Sequence, residues 1–197
     1  MIIWINGAFG AGKTQTAYEL HRRIPGSYVF DPENAGFYIR KNIPPETLEA
    51  DFQNYPMWRE CNYSMLSYID LKYNGVILVP MTVVHPHYFD DIIGKLRRDG
   101  VQVNHFTLCV SKETLMQRLR SRGEGRQSWA ARQVERCIDG LSNEKFQHHL
   151  QTDHLSIEQV AEQIASMSSI SLLPDNRGKL SKVWARMITK IKHFRFF

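Results

Sequence analysis

The sequence predicts an α/β fold in which a parallel β-sheet is covered by helices on both faces. Two observations predict it: short, continuous apolar runs alternate along the chain with longer segments of helical character, and each run ends at a glycine, proline or polar residue. Strands that are apolar throughout are buried on both faces, as in sheets built from β-α-β units. With 197 residues, of which 43% are hydrophobic and 23% charged, we expect one globular domain with an additional segment.

The first half of the chain contains two expected strands, one helix and an aromatic-rich segment. Residues 2–5 form an apolar run that ends at Asn-Gly and predicts the first strand. A helix over 14–23 stops at Pro-Gly, and a short strand follows over 28–30. Residues 33–73 are predicted to be helical in pieces, because three prolines interrupt them.

The second half continues the same alternation. A fully apolar strand is expected over 76–79, a helix over 87–98 and a long strand over 101–110. Ser111 is a favourable N-cap and predicts a helix that runs to residue 122. The remaining elements are expected as a helix over 129–141, a weak strand over 150–152 and a helix over 156–167.

A glycine-rich loop joins the first strand to the first helix and matches the phosphate-loop pattern G-x-x-x-x-G-K-[ST]. Its glycines let successive backbone N–H groups turn towards phosphates, and the helix N-terminus adds a positive dipole end. We expect Lys13 to lie between the β and γ phosphates of ATP and Thr14 to offer its hydroxyl to Mg²⁺. The predicted fold is therefore a three-layer P-loop NTPase fold. Its phosphate-loop residues are Gly7, Ala8, Phe9, Gly10, Ala11, Gly12, Lys13 and Thr14.

Two further patterns concern the nucleotide and its metal. The segment that starts at Ser111 lacks the aspartate of a guanine-specific Asn-Lys-x-Asp box, which favours adenine as the base. P-loop enzymes normally place an acid after an apolar strand, where it helps to hold Mg²⁺. The strand over 76–79 is followed instead by Pro80-Met81-Thr82. The second metal ligand is therefore unassigned, and Thr82 is counted with the substrate-side residues.

Arginines concentrate around two glycines that separate two expected helices. Arg118 and Arg122 are four residues apart and share a helix face, and Gly123 and Gly125 follow them. The segment 118–132 is therefore a candidate helical lid, in which Arg118 and Arg122 act on the transferred phosphoryl group. A solvated basic helix face is the alternative interpretation.

Candidate acceptor residues lie at the end of the second strand and in the segment 33–73. A carboxylate at Asp31 could accept the proton of an acceptor hydroxyl, although helix capping explains Asp31 equally well. Asp51 is a second candidate carboxylate that also resembles an N-cap. Aromatic side chains can stack on a base or sugar, while core packing explains most of them. The candidate substrate residues are Asp31, Phe37, Arg40, Asp51, Tyr55, Trp58 and Thr82.

The positive charge of the chain is concentrated at its C-terminal end. The net charge is +5 overall, +6 within residues 175–197 and −1 within residues 1–174. In 175–197, apolar residues recur at helical spacing and basic residues fill the other face, which is typical of a helix on an anionic membrane surface. A helix docked on residues 1–174, a partner-binding helix and an RNA-binding arm are the alternatives. The predicted membrane-facing residues are Leu180, Val183, Trp184, Met187, Ile188, Ile191 and Phe194.

The sequence carries weak signals for other classes of protein. Its three cysteines are far apart and form no C-x-x-C pair, which argues against a disulfide framework or a cysteine-based metal site. The chain has neither a signal-peptide pattern nor an apolar run long enough to span a bilayer. A cytoplasmic location is expected, and nucleic acid is not expected as a partner.

Several strings resemble the bacterial family of tunicamycin resistance ATP-binding proteins. They include Ser-Tyr-Val-Phe-Asp-Pro-Glu from Ser27, Val-Pro-Met-Thr from Val79 and Gln-Thr-Asp from Gln151, and the resemblance covers almost the whole chain. It implies an adenylate-kinase-like P-loop fold, ATP binding at Gly7–Thr14 and attachment to the inner face of the cell membrane through 175–197. It also implies resistance to tunicamycin, a lipid-tailed uridine antibiotic.

Three functions are compatible with these patterns. The leading hypothesis is transfer of the γ-phosphate of ATP to tunicamycin at the membrane surface. The first alternative is ATP-dependent binding and sequestration of the drug without chemistry, which the missing acid after the strand over 76–79 favours slightly. The second alternative is a nucleoside or metabolite kinase.

Overall fold

The computed structural model describes residues 1–192, and a five-stranded parallel sheet of order β2-β3-β1-β4-β5 lies at its centre. Because all neighbouring strands are parallel, their carboxyl ends meet at one edge, where ligands bind in folds of this type. The predicted α/β class with a parallel sheet is confirmed. The strands are β1 (Ile2–Gly7), β2 (Tyr28–Val29), β3 (Ile77–Pro80), β4 (Val103–Cys109) and β5 (His149–Gln151).

Helices cover both faces of the sheet and build the segment 33–73. A π-helical turn over Asp90–Gly94 joins α4 to α5, where the sequence predicted one uninterrupted helix. Short 3₁₀ helices occur at Pro45–Thr47, Phe52–Asn54 and Glu144–Phe146. The helices are α1 (Lys13–Arg23), α2 (Glu33–Lys41), α3 (Pro56–Lys72), α4 (Pro86–Phe89), α5 (Lys95–Arg98), α6 (Lys112–Arg120), α7 (Trp129–Leu141), α8 (Ile157–Met167) and α9 (Lys179–Lys192).

The central strand explains how an apolar run fixes the position of the phosphate loop. Every residue of β1 is buried, because β3 and β4 flank it and helices cover its faces. Trp4 is fully buried, and its indole N–H donates to the carbonyl oxygen of Met81 at 3.1 Å. A buried indole therefore keeps its polar atom satisfied and ties β1 to the segment that follows β3.

Serine side chains begin three helices on the carboxyl side of the sheet. The predicted N-cap is confirmed, since the Ser111 hydroxyl accepts the N–H of Thr114 at the start of α6. Ser128 caps α7 in the same way, and Ser156 forms a capping box with Gln159 at the start of α8. Within residues 1–192, no helix combines the length and apolar character that crossing a bilayer requires.

Candidate nucleotide and acceptor site

The phosphate loop runs from the end of β1 to the start of α1 at the carboxyl edge of the sheet. Gly12 has a φ of 101°, a left-handed conformation that favours glycine, and it directly precedes α1. A Cβ on Gly7 would lie 3.0 Å from the Leu108 carbonyl oxygen, so the loop passes β4 too closely for a side chain. The backbone therefore requires glycine at both ends of the loop, as the pattern predicts.

Lys13 points back over the loop in which it lies. Its ammonium donates to the carbonyl oxygens of Gly7 and Ala8, each at 3.0 Å. Burial lowers the pKa of Lys13 to about 8; Glu33 acts in the opposite direction, and the charge of Arg122 lowers the pKa further. A half-buried cation held by neutral carbonyls would gain strongly from an anionic ligand. The loop and its lysine therefore fit a phosphate group.

Thr82 and Asn6 hold the entrance to the loop. The Thr82 hydroxyl donates to the Gly7 carbonyl oxygen at 2.8 Å, and that carbonyl also accepts the Lys13 ammonium. The Asn6 side-chain oxygen accepts the N–H groups of Gly7 and Val83 at 2.8 and 3.0 Å. The Thr82 hydroxyl thus binds the loop backbone after β3, where P-loop enzymes normally place an acid, while the Asn6 amide in β1 connects the loop to Val83.

A buried histidine completes the surroundings of Asn6. The Asn6 amide nitrogen donates to the Val83 carbonyl at 2.8 Å and lies 3.2 Å from Nε2 of His105. His105 is buried, which lowers its pKa to about 3, and its Nδ1 lies 3.2 Å from the carbonyl oxygen of Gln147. With a donor at Nε2 and an acceptor at Nδ1, the neutral His105 ring carries its proton on Nδ1. The sequence analysis did not identify Asn6 or His105, although a polar residue between an apolar run and the first loop glycine is a usable signal.

One predicted lid arginine contacts the phosphate loop, and the charge of a second acts on the loop's lysine. The Arg118 guanidinium lies 3.4 Å from the carbonyl oxygen of Gly10 and 3.5 Å from that of Ala11. Arg122 is half-buried; burial lowers its pKa, and its charge acts on Lys13. The chain from Ser121 to Ser128 consists of turns and irregular backbone between α6 and α7. The structure thus brings Lys13, Arg118 and Arg122 together, while closure of 118–132 as a lid stays a prediction.

The first turn of α7 also contacts the loop. The rings of Phe9 and Trp129 meet edge to face with centroids 5.0 Å apart. The Lys13 ammonium lies 5.5 Å from the centroid of the Phe9 ring. Phe9 was predicted only as a loop position, and its ring connects the loop to the far end of the segment 118–132. Trp129 was not identified from the sequence.

Two carboxylates follow β2 at the same edge of the sheet. Asp31 accepts the N–H of Glu33 at 3.0 Å, which is the capping arrangement that the sequence analysis left open. Glu33 begins α2, and its charge raises the pKa of Lys13. The structure therefore adds Glu33 to the candidate site. Spacing alone did not distinguish it from an ordinary acid in the first turn of a helix.

Three predicted acceptor residues hold the segment 33–73 together. Trp58 is fully buried, and its indole N–H donates to the Pro32 carbonyl at 2.9 Å. The Tyr55 hydroxyl accepts the N–H of Glu49 at 2.6 Å, and Arg40 donates to the Glu49 carbonyl at 2.8 Å. These contacts give each residue a structural role, and contact with a substrate stays a prediction.

The other two predicted residues of this segment lie around Phe52. Asp51 caps the 3₁₀ turn Phe52–Asn54, as the N-cap interpretation expected, and its carboxylate lies 3.3 Å from the guanidinium of Arg136 on α7. Phe37 is half-buried, with its ring centroid 6.3 Å from that of Phe52. The ion pair between Asp51 and Arg136 connects the acceptor side of the molecule to the helix that follows the arginine segment.

Comparisons with known proteins agree with this geometry. The family model described as an AAA domain matches residues 2–143. The solved tunicamycin resistance protein of Deinococcus radiodurans is 38% identical, with 88% of this chain and 98% of that chain covered and a TM-score of 0.77. No curated protein matches the chain.

More distant structures share the fold. A shikimate kinase from Bacteroides thetaiotaomicron is 17% identical over 86% of this chain and 99% of its own, with a TM-score of 0.58. The adenylylsulfate (APS) kinase CysC of Mycobacterium tuberculosis is 15% identical over 85% of this chain and 96% of its own, with a TM-score of 0.54. The chain therefore belongs to the AAA-domain family of P-loop proteins with a kinase-like fold, and the tunicamycin resistance protein is one of its relatives.

Proposed function

We propose that this protein transfers the γ-phosphate of ATP to tunicamycin or a related nucleoside-like molecule. The observation that carries the proposal is that Lys13 and Arg118 both contact one phosphate loop, while the charge of Arg122 acts on Lys13. Phosphoryl transfer spreads negative charge over the transferred group, and positioned cations are the main means of stabilising it. The relative from D. radiodurans supports the choice of acceptor.

Some residues of the site bind the nucleotide, and others act on the transferred group and the acceptor. The loop backbone and Lys13 hold the phosphates, and the Thr14 hydroxyl at the start of α1 would hold Mg²⁺. Bound Mg²⁺ would neutralise part of the phosphate charge. Arg118 and Arg122 act on the transferred group, while Asp31 orients the acceptor hydroxyl and takes its proton.

Capture of the drug without chemistry is the second candidate function. It is favoured by Thr82, whose hydroxyl binds the loop backbone after β3, where an acid would otherwise support the metal. In this function ATP binding would order the loop and the acceptor side, and the drug would leave unmodified. A nucleoside or metabolite kinase is a third candidate, with a different acceptor on the same machinery.

The deciding experiment incubates the full chain with tunicamycin, Mg²⁺ and ATP and measures the drug by mass spectrometry. We expect a phosphorylated drug, and unmodified drug with saturable binding would instead support capture. Release of ADP with uridine-like acceptors but not with the drug would support the third candidate. Lys13→Ala should lower the transfer rate by roughly 10²–10³-fold. Lys72→Ala, at an exposed position at the end of α3, is the matched control.

We further propose that residues 1–174 form the nucleotide-binding body and that 175–197 attach it to the inner face of the cell membrane. Leu180, Trp184, Met187 and Ile188 are exposed, in support of the predicted lipid-facing side. The side chains of Val183 and Ile191, and Phe194 altogether, lie outside the described residues. A fatty-acylated drug partitions into membranes, so attachment would bring the protein to its substrate.

A further inference from the structure

Three carboxylates from separate parts of the chain converge beside α9. Glu19 lies on α1, Glu158 lies in the first turn of α8, and Asp175 lies in the segment before α9. One oxygen of each lies within 4.8 Å of the other two. We call these three residues the acidic cradle. Carboxylates this close repel one another unless cations lie between them.

Basic side chains of the C-terminal segment supply those cations. Arg177 lies 2.6 Å from Glu19 and 2.8 Å from Asp175, and Lys182 lies 2.9 Å from Asp175. The hydrogen bonds of Arg177 and Lys182 hold the pKa of Asp175 well below its usual range. The cradle is therefore filled by this chain's own ammonium and guanidinium groups, which leaves no reason to assign it to a metal.

A third basic residue connects α9 to the helix that carries the phosphate-loop lysine. Arg186 places one nitrogen 2.6 Å from both carboxylate oxygens of Glu158. Its own backbone carbonyl accepts the side-chain amide of Gln15 at 3.1 Å, and Gln15 lies two residues after Lys13 in α1. Arg177, Lys182 and Arg186 are the basic residues of 175–197 whose side chains the structure describes, and each binds residues 1–174 or the segment that leads to α9.

The apolar side chains of α9 face away from these contacts. Leu180 is 81% exposed, Trp184 62%, Met187 45% and Ile188 44%. Their spacing of four, seven and eight residues places them on one helical face. Such a row, with a tryptophan in it, is typical of helices that lie in a membrane interface.

We propose that the acidic cradle is the docking site for the basic side chains of residues 175–197, which we call the tail. The docked α9 then contacts an uncharged lipid surface through its apolar face. The lipid part of this inference rests on the membrane attachment proposed above, whereas the docking part does not. The sequence suggested that the tail's basic residues gain energy from anionic lipid. In the docked arrangement Arg177, Lys182 and Arg186, the basic residues of 175–197 with described side chains, pair with carboxylates, and the exposed apolar face is available to contact lipid.

The test measures binding of the full chain to phosphatidylcholine vesicles, with and without phosphatidylglycerol. The cradle variant is Glu19→Gln/Glu158→Gln/Asp175→Asn. The control, Glu46→Gln/Glu60→Gln/Glu144→Gln, makes the same change in net charge at exposed positions. We expect the natural chain to bind phosphatidylcholine and to gain less from phosphatidylglycerol than the cradle variant does. The cradle variant should gain roughly fivefold in affinity for the anionic vesicles per released basic residue, and the control should resemble the natural chain.

A lipid-free measurement separates docking from membrane attachment. Hydrogen exchange should be slow for the α9 amides of the natural chain and the control, and faster in the cradle variant. Should the cradle variant fail to fold, Arg177→Gln/Arg186→Gln removes the same pairs from the tail side and should speed exchange in α9. Equal exchange in the natural chain and the folded variants would overturn the docking site.

The remaining outcomes concern the occupant of the apolar face. Protected α9 amides together with no binding to either vesicle would support docking and overturn both the lipid assignment and the proposed membrane attachment. Equal dependence on phosphatidylglycerol in the natural chain and the cradle variant would overturn the docked orientation at the membrane. A lipid-free dimer that Trp184→Ala dissociates would assign the apolar face to a second copy instead.

Discussion

The phosphate loop and the acceptor segment 33–73 lie at the same edge of the sheet, yet they differ in what holds them. The shape of the loop depends on its backbone conformation, because Gly12 has a φ of 101° and a Cβ on Gly7 would lie 3.0 Å from the Leu108 carbonyl oxygen. The acceptor segment is held by side chains that bind its own backbone, such as the Tyr55 hydroxyl, which accepts the N–H of Glu49. A site whose geometry resides in the backbone can be identified from a short pattern, whereas a site formed by side chains cannot.

The largest expected effect compares the two carboxylates that follow β2. Asp31→Asn should lower the rate of phosphoryl transfer by roughly 10²–10⁴-fold, because a proton acceptor is lost while the phosphate loop is intact. Glu33→Gln should lower it less than about tenfold, since Glu33 acts on Lys13 through its charge. Single-turnover rates and ATP affinities measure both variants. A larger loss of rate in Glu33→Gln than in Asp31→Asn would identify Glu33 as the proton acceptor.

The next prediction tests whether Trp58 is a structural residue. Trp58→Phe leaves the Pro32 carbonyl without its donor in a buried position and should lower the free energy of unfolding by about 1–3 kcal/mol. Tyr68→Phe, at a position 66% exposed, should change it by less than about 0.5 kcal/mol. Urea unfolding followed by circular dichroism provides both values. Unchanged stability of Trp58→Phe with a loss of drug binding would make the indole a substrate contact.

The same contrast explains how much of the molecule could be predicted from the sequence. Continuous apolar runs located the central strands β1, β3 and β4, because burial on both faces requires them. The loop pattern located Lys13 and the positive-φ glycine before α1. The partners of Arg40, Tyr55 and Trp58 could not be predicted. Each binds a backbone carbonyl or N–H group whose position depends on how residues 32–73 fold. The residue types alone do not reveal that position.

The tail shows that charge patterns, too, cannot predict which residues will be in contact. The concentration of basic residues in 175–197 is plain from the sequence, and one of the stated alternatives was a helix docked on the rest of the chain. The acids that receive the basic residues lie far apart along the chain, at Glu19 and Glu158. A count of charged residues in each segment cannot reveal that the tertiary structure brings those acids together.

A smaller effect is expected at the entrance of the loop. Thr82→Val removes the hydroxyl that donates to the Gly7 carbonyl and should weaken ATP binding by about fivefold, the value of one hydrogen bond. Thr82→Ser keeps the donor and should bind like the natural chain. Titration with a fluorescent ATP analogue distinguishes them. Equal affinities of the serine and valine variants would show that the backbone and Asn6 suffice to hold the loop.

The smallest expected effect is a dependence of ATP affinity on pH. Burial holds the pKa of Lys13 at about 8, so raising the pH from about 7.5 to about 8.5 removes much of its charge in the protein without ATP. Because phosphates bind the ammonium and not the amine, affinity should fall by about threefold over this range. Lys13→Arg stays charged and should lack the decrease. An equal decrease in Lys13→Arg would assign the titration to another group and show that Lys13 keeps its proton beside the Gly7 and Ala8 carbonyls.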